Sequence, residues 1–404
     1  MNYILFDPLH RKQLLPFAFT RPVAEFRIGI LTITEKWQKA LSAQLSFKTE
    51  SYLQKKYPLR AEAENILLNG CVCPNDTLLS EIRSLKSGQG LYQGDLLLAA
   101  FVKADQLETN PEELDLEHVA SHAGELLMIR FVYDIFSKND RAIREDFEIL
   151  TNGRFSQPIP TSNTVFHPNH IFIEEGAKVE CAILNASTGP IYIGRDAEVM
   201  EGSKIRGPFA LCEHAGLKMD AKIYGPTTIG PHCKVGGEVN NSVFFAYSNK
   251  AHDGFIGNAV IGEWANIGAD TNNSNLKNTY DEVKLWSYAS ERFDKTGLTF
   301  CGLMMADHAK CGINTMFNTG TVVGVGANIF GAGFPRNFIP SFAWGSAAGF
   351  ETFQLNKFFK MAEAMCARRQ IEFSETDREI IMHIFEETRK FRYWEKGNAE
   401  AGRP

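Results

Sequence analysis

The chain has 404 residues, 44% of them hydrophobic, which is long enough for two or three domains that each bury a core. Its net charge of −6 is mild and no basic run interleaved with aromatics occurs, so nucleic-acid binding has no electrostatic footprint. No apolar run reaches the roughly 18 residues of a membrane span, the N-terminal "MNYILFDPLHRK" lacks a signal-peptide core, and the eight cysteines form no CxxC pair; the expectation is a cytoplasmic protein with reduced thiols and no membrane partner.

Residues 1–155 alternate short apolar runs with amphipathic ones. "NYILF", "ENILLNG" and "GDLLLAAFV" read as buried strands, and "GILTITEKWQKAL" and "VYDIFSKNDRAIREDFEIL" read as helices, which together predict an α/β layer domain. Cys71 and Cys73 sit at the end of the second run; their spacing is wrong for common zinc motifs, and an apolar strand end is the reading adopted. "SQPIPTSNTVFHPNH" has the Pro, Ser and Asn of a connector.

From Ile193 every sixth residue is aliphatic through Val199, Ile205, Leu211, Leu217, Ile223, Ile229 and Val235. Chance produces such a run on the order of once in 10⁶ starting points, so it is a repeat. Small residues such as Ala197, Ser203, Ala215, Ala221 and Thr227 fall four positions after most of these aliphatics. Bulky aliphatics inside and small residues at the bends are what a triangular parallel β-helix demands, three six-residue faces to a coil. The pattern resumes at Ile261 and Ile267 and again at Phe317, Val323 and Ile329, so residues 156–345 are expected to form one solenoid. Its frame slips near residue 235, where Phe255 is taken to head the next frame, and vanishes after Gly268 into a long polar insertion. His214 and His232 lie one coil apart, and a suitable slip places His252 in the same column; a ring ladder and a metal site are the two readings, the ladder being the commoner use of a solenoid corner. Residues 346–404 show 3.6-residue apolar spacing in two helices, the second expected to begin at Thr376 with Glu379 completing a capping box.

At "KAHDGFIGNAVIGEWANIGAD" and "AKCGINTMFNTGTVVGVGANI" the chain resembles the bifunctional GlmU-like family, sugar-1-phosphate nucleotidyltransferases that also carry a left-handed β-helix acetyltransferase domain. Lys250, His252, Gly257, Ile261, Gly262, Asn266, Gly268 and Ala269 match that family's block, while Phe255 stands for its tyrosine and Asp270 for a glycine. The resemblance implies acetyl-CoA as cosubstrate and an amino-sugar phosphate, glucosamine-1-phosphate, as acceptor. It makes His252 the general base, with Asn275, Lys284, Lys250 and Phe255 on the acceptor and Gly312, Ile313 and Ala327 on acetyl-CoA. The chemistry asks for such a base independently, because an alkylammonium is no nucleophile and a neutral imidazole accepts its proton near pH 7.

"LLPFAFTRPVAEFRIGILTI" resembles the opening of sugar nucleotidyltransferases through Thr20, Arg21 and Pro22, but "ILFDPLHRKQ" stands where their glycine-rich phosphate loop would be and Cys71 where they hold Mg²⁺ with an aspartate. Asp7, Arg21 and Arg27 could form a diverged phosphate site for UTP or another nucleoside triphosphate, with Mg²⁺ required only if that domain is active; equally, Arg21 is a surface ion pair and Asp7 a turn residue. The family's architecture implies a homotrimer, with Phe244, Phe245 and Trp264 expected as outward apolar residues on the coil. The expected function is acetyl transfer to an amino-sugar 1-phosphate in cell-envelope sugar-nucleotide biosynthesis, with nucleotidyl transfer to UDP-N-acetylglucosamine as a second activity. An acyltransferase for another acceptor and a non-catalytic β-helix scaffold are the alternatives.

Overall fold

A computed structural model describes residues 1–119 and 122–398. The chain forms two compact units, one of residues 1–26 and 31–131, the other of residues 27–30 and 132 onward. The boundary expected near residue 155 therefore falls inside the second unit.

The first unit is built on a six-stranded mixed sheet in the order β2-β1-β3-β5-β4-β6, from β1 (Asn2–Phe6), β2 (Leu45–Lys48), β3 (Glu64–Asn69), β4 (Gln89–Gln93), β5 (Leu96–Lys103) and β6 (Glu117–Val119). β1 pairs in parallel with both β2 and β3, and Ile4, Leu5 and Phe6 are buried, which is why it reads as a continuous apolar run rather than an alternating one. Two helices belong to this unit, α1 (Ile33–Leu41) and α2 (Asp76–Ser84). Thr32 caps α1 in a reciprocal box with Glu35, a signal present in the sequence as T-x-x-E. Cys71 and Cys73 are buried free thiols just after β3.

The second unit is a left-handed parallel β-helix whose coils stack into sheets of nine, ten and six strands, here the first, second and third faces. One coil runs Ile191–Ile193, Glu198–Val199 and Lys204–Arg206 before the chain re-enters the first face at Phe209–Leu211. All eight aliphatics of the six-residue repeat lie in its core cluster. Helices α3 (Asp134–Ser137) and α4 (Asn139–Thr151) precede it, and Phe147 of α4 packs with Phe172, Tyr192 and Ile30. Asp146 accepts the Ile30 amide at 2.7 Å and Asn139 the Gly29 amide at 2.8 Å, which ties residues 27–30 to this unit.

The slip in the repeat is a shortening, not an insertion. Ile229 stacks on Phe244 and Val235 on Lys250, each pair fifteen residues apart, because the corners after Val235 and Val239 lose residues. Consequently Ile256, not Phe255, points into the core, and Phe255 faces outward. The same shift turns Phe244 inward; Phe245 and Trp264 are buried as well, so none of the three is the exposed apolar residue expected. The histidine column is a ring ladder along the corner between first and second faces: His214, His232, Tyr247 and Trp264 stack at 4.8, 4.7 and 4.3 Å between centroids. Tyr247 occupies the place predicted for His252, which lies at a different corner. Among the described residues no three His, Cys, Asp or Glu side chains gather as a metal site.

After the coils come α5 (Leu355–Ala367) and α6 (Glu375–Glu387). The cap of α6 is Ser374 with Asp377 rather than Thr376 with Glu379: Ser374 accepts the Asp377 amide and Asp377 accepts the Ser374 amide, so Thr376 is already helical. No described helix is long and apolar enough to cross a membrane.

Candidate functional site

His252 sits in the corner between the second and third faces, and a lysine beneath it shapes that corner. The strand Asn249–Lys250 aligns Lys250 with Val235 in the core column, yet a lysine cannot end in an apolar core without partners for its amine. Lys250 is 1% exposed, and its Nζ bends out to donate to the carbonyls of Gly236 (2.9 Å), His252 (2.8 Å) and Asp253 (3.4 Å). Burial pulls its pKa down to about 8, opposed by the nearby carboxylates of Asp253 and Asp270. Lys250 therefore pins the His252 turn from below and presents nothing to an acceptor, contrary to the substrate-binding role expected of it. Gly254 closes the turn at φ +108, where a Cβ would lie 2.2 Å from the Thr271 carbonyl. The His252 side chain is exposed and makes no hydrogen bond among the described residues, so both ring nitrogens are open to a ligand.

The asparagine run at residues 272–275 has a structural task. Strands Phe255–Gly257 and Asn272–Asn273 share no backbone ladder, and side chains supply the missing bonds. Asn272 Oδ1 accepts the Phe255 amide at 2.8 Å, while Asn273, 2% exposed, accepts the Gly257 amide at 2.8 Å and donates to its carbonyl at 3.0 Å. Asn275 donates to Asn258 Oδ1 at 2.8 Å, one coil above it. Phe255 and Asn275 meet over Gly257, where a Cβ would lie 2.5 Å from the Phe255 ring and 2.8 Å from Asn275 Nδ2.

His252 and Asn275 are not neighbours within one chain. Asn275 stands above Asn258, six residues beyond His252, so the two occupy opposite corners of the third face, roughly 15–20 Å apart. The separation of twenty-three residues is one coil plus one face, and the additional face carries the chain past its own start. Asp270, where the family has glycine, adopts φ +54, a left-handed conformation that aspartate is among the few residues to tolerate.

The same His252 corner continues upward through Ala269 and Ile313, since the Asp270 amide donates to the Asp253 carbonyl and the Asn314 amide to the Ala269 carbonyl. Ile313 is 70% exposed, and Phe330, beside Gly312, is 40% exposed, which gives an apolar strip above the histidine. Ala327 does not join Gly312 and Ile313: it lies at the corner between first and second faces, fully buried, with its carbonyl accepting the Lys310 amide.

Lys284 lies on a hairpin, Lys284–Ser287 with Arg292–Lys295, inside the insertion that leaves the coil at Asn275 and returns where the Cys301 amide donates to the Asn275 carbonyl. It lines a cavity of about 720 Å³ that neither His252 nor Asn275 reaches. Arg336 and Trp286 line the same cavity and escaped the sequence reading; the available signal was the ten-residue gap from Ile329 to Ile339, where the six-residue period lapses.

In the first unit, Asp7 is held internally. Its carboxylate accepts from Arg11 Nε at 3.1 Å, Thr49 Oγ1 at 2.5 Å and the Val23 amide at 2.8 Å. Burial pushes its pKa up against the pull of Arg11. With Asp7 so engaged and a buried thiol at Cys71, the residues present do not fit Mg²⁺. Arg21 is buried in this unit, whereas Arg27 belongs to the other and donates to the Ile30 carbonyl. The three do not make one phosphate site.

Residues 3–155 match the family model described as sugar nucleotidyl transferase. The chain is 28% identical over 170 residues to a bifunctional sugar-1-phosphate nucleotidylyltransferase/acetyltransferase of Sulfurisphaera tokodaii, covering 42% of this chain and 40% of that protein. It is 30% identical over 125 residues to the bifunctional protein GlmU of a Picosynechococcus strain, covering 30% of this chain and 24% of that one. The chain thus spans less than half the length of the curated relatives it matches. Among solved structures, an Arabidopsis UDP-N-acetylglucosamine acyltransferase covers 61% of this chain and 99% of its own at 15% identity, and with a TM-score of 0.21 that pairing carries no argument about the site. The chain is therefore similar to the bifunctional sugar-1-phosphate nucleotidylyltransferase/acetyltransferases, with a first domain matched by the sugar nucleotidyl transferase family model and a left-handed parallel β-helix after it.

Proposed function

We propose that the protein transfers an acetyl group from acetyl-CoA to the amine of an amino-sugar 1-phosphate, glucosamine-1-phosphate in the first instance. The observation that carries this reading is the exposed, unbonded imidazole of His252, pinned from beneath by Lys250 and set under the apolar strip of Ile313 and Phe330. His252 takes the proton from the acceptor amine as its lone pair attacks the thioester carbonyl, and the thiolate of coenzyme A leaves. The strip above His252 suits the pantetheine arm, and Asn275 with Phe255 suits the sugar ring.

Because His252 and Asn275 stand at opposite corners of one face, a single acceptor bridges them only between copies of the chain. Phe166, Ile183, Tyr224 and Met316 point outward and exposed on the strands of that face, which supports a closed threefold assembly with sites between the coils. A monomeric mass by sedimentation at micromolar concentration would remove the trimer. The decisive experiment for the chemistry is acetyl transfer from acetyl-CoA to glucosamine-1-phosphate, followed by mass spectrometry with parent and His252→Ala proteins. Equal rates in the two would sink the assignment.

Nucleotidyl transfer by the first unit is a second reading, favoured by the family match over residues 3–155. The engagement of Asp7 by Arg11, Thr49 and Val23 argues against a metal-dependent version of it. Release of pyrophosphate from UTP or dTTP in the presence of a sugar 1-phosphate tests it directly.

A further inference from the structure

The cavity beside the insertion hairpin has a composition that neither acetyl transfer nor packing explains. Lys277, Lys284 and Arg336 line it and no carboxylate does. Lys284 makes no hydrogen bond or ion pair among the described residues, and Arg336 is set only against the ring of Tyr393, 5.3 Å from its centroid. Three cations converging without a counter-charge repel one another, and an anion relieves that repulsion.

Its other wall is aromatic. Trp286 and Phe338 stack at 4.2 Å, and Phe391 meets both edge-on at 6.1 and 5.8 Å. The indole N–H of Trp286 is buried with no acceptor, although a buried donor ordinarily finds one. Thr319 and Asn337 add polar groups at the rim, with Asn337 Nδ2 held by the Thr319 carbonyl. At about 720 Å³ the space is several times what a hexose phosphate fills, within the range that takes a drug-sized ligand.

We propose that this cavity is a nucleoside phosphate site, in which Lys284 and Arg336 hold the phosphates and the Trp286 and Phe338 wall takes the base. Aromatic faces accept any base by stacking, and guanidinium and ammonium groups supply charge-assisted bonds to phosphate oxygens. Two sources share this chemistry: the nucleotide of a sugar nucleotide and the adenosine bisphosphate end of coenzyme A. The site lies in the β-helix unit, apart from Asp7 and Arg21 of the first unit, and its occupancy does not depend on acetyl transfer.

The test is titration of the full chain, without acetyl-CoA or Mg²⁺, with UDP, adenosine 3′,5′-bisphosphate, glucosamine-1-phosphate and inorganic phosphate. Calorimetry and tryptophan fluorescence are read together. At least one nucleotide is expected to bind about tenfold or more tighter than either small phosphate. Its binding is expected to quench fluorescence in the parent but not in Trp286→Phe, and to weaken about tenfold or more in Lys284→Ala and Arg336→Ala, both of which alter exposed side chains. Preference for UDP identifies the sugar nucleotide as source, and preference for the bisphosphate identifies coenzyme A. Nucleotides bound no tighter than glucosamine-1-phosphate, or nucleotide binding that Lys284→Ala and Arg336→Ala leave unchanged, overturns the proposal. A dead His252→Ala enzyme that still binds the nucleotide separates this site from the acetyl-transfer reading.

Discussion

The coils from Ile193 to Val235 and those from Val239 to Ile339 share one architecture and differ in what they put inside. In the former every inward position is aliphatic and every step is six residues. In the latter the corners shorten, Lys250 and Asn273 take inward positions, and an insertion of about two dozen residues opens at Asn275. A β-helix coil is satisfied by aliphatics alone, so polar groups in its core column mark where the backbone must be held in a shape the repeat does not provide. Lys250 holds the turn of His252, and Asn273 replaces a missing strand ladder beneath Phe255. The regular coils supply stability, and the irregular ones position the candidate chemistry.

That contrast can be broken or sharpened by substitution. The largest effect is expected from His252→Ala, which should lower kcat for acetyl transfer by about 10²- to 10⁴-fold with little change in acetyl-CoA affinity or in thermal midpoint. A lowered midpoint would move His252 to the structural side of the comparison. Ile223→Ala, in the regular coils, should do the reverse: a loss of about 2–5 kcal/mol in denaturant unfolding, with kcat per folded molecule unchanged.

Lys250→Met tests the hinge between the two classes, because it restores an apolar core residue and removes the amine from the carbonyls of Gly236, His252 and Asp253. Acetyl transfer is expected to fall about tenfold or more while the fold survives, since the turn is freed but the core is filled. The pH dependence is the sharper readout. The folded pKa of Lys250 lies near 8, below its ordinary 10.5, so the folded state binds fewer protons in between. Its contribution is present above about 10.5 and lost as pH falls through about 8, so stability should rise with pH across that window. Lys310, brought to about 8 by burial, contributes in the same window, and Lys250→Met should therefore reduce that rise without abolishing it. An unchanged slope by denaturant titration at pH 8 and pH 10 would show that Lys250 is not held as described. The smallest effect belongs to Ser374→Ala, where losing the cap of α6 should cost about 1 kcal/mol and leave acetyl transfer unaltered.

Legibility in the sequence followed the range of the forces involved. The inward aliphatics, the strand runs of the first unit and the two C-terminal helices are periodic and local, and each stands where its period placed it. The α6 cap was misplaced by two residues, because Ser374 with Asp377 and Thr376 with Glu379 are both plausible boxes and only backbone geometry separates them. Phe255 and Phe244 were assigned to the wrong side, since a corner shortened by one to three residues reverses the facing of everything after it.

For the candidate site, residue types were readable and their grouping was not. The histidine, the asparagine run and the lysines announce themselves as polar residues in an apolar repeat. The sequence alone could determine that a β-helix forms and which side chains fill its regular coils, because a six-residue period of aliphatics has one economical way to leave water. Only the tertiary structure decided that Lys250 lies under His252, that Asn275 stands a full face away from it, that Ala327 occupies a different corner from Gly312, and that Lys284 faces Arg336 across a separate cavity. Those placements depend on how many residues each corner consumes, a quantity set by long-range stacking of one coil on the next rather than by any local preference.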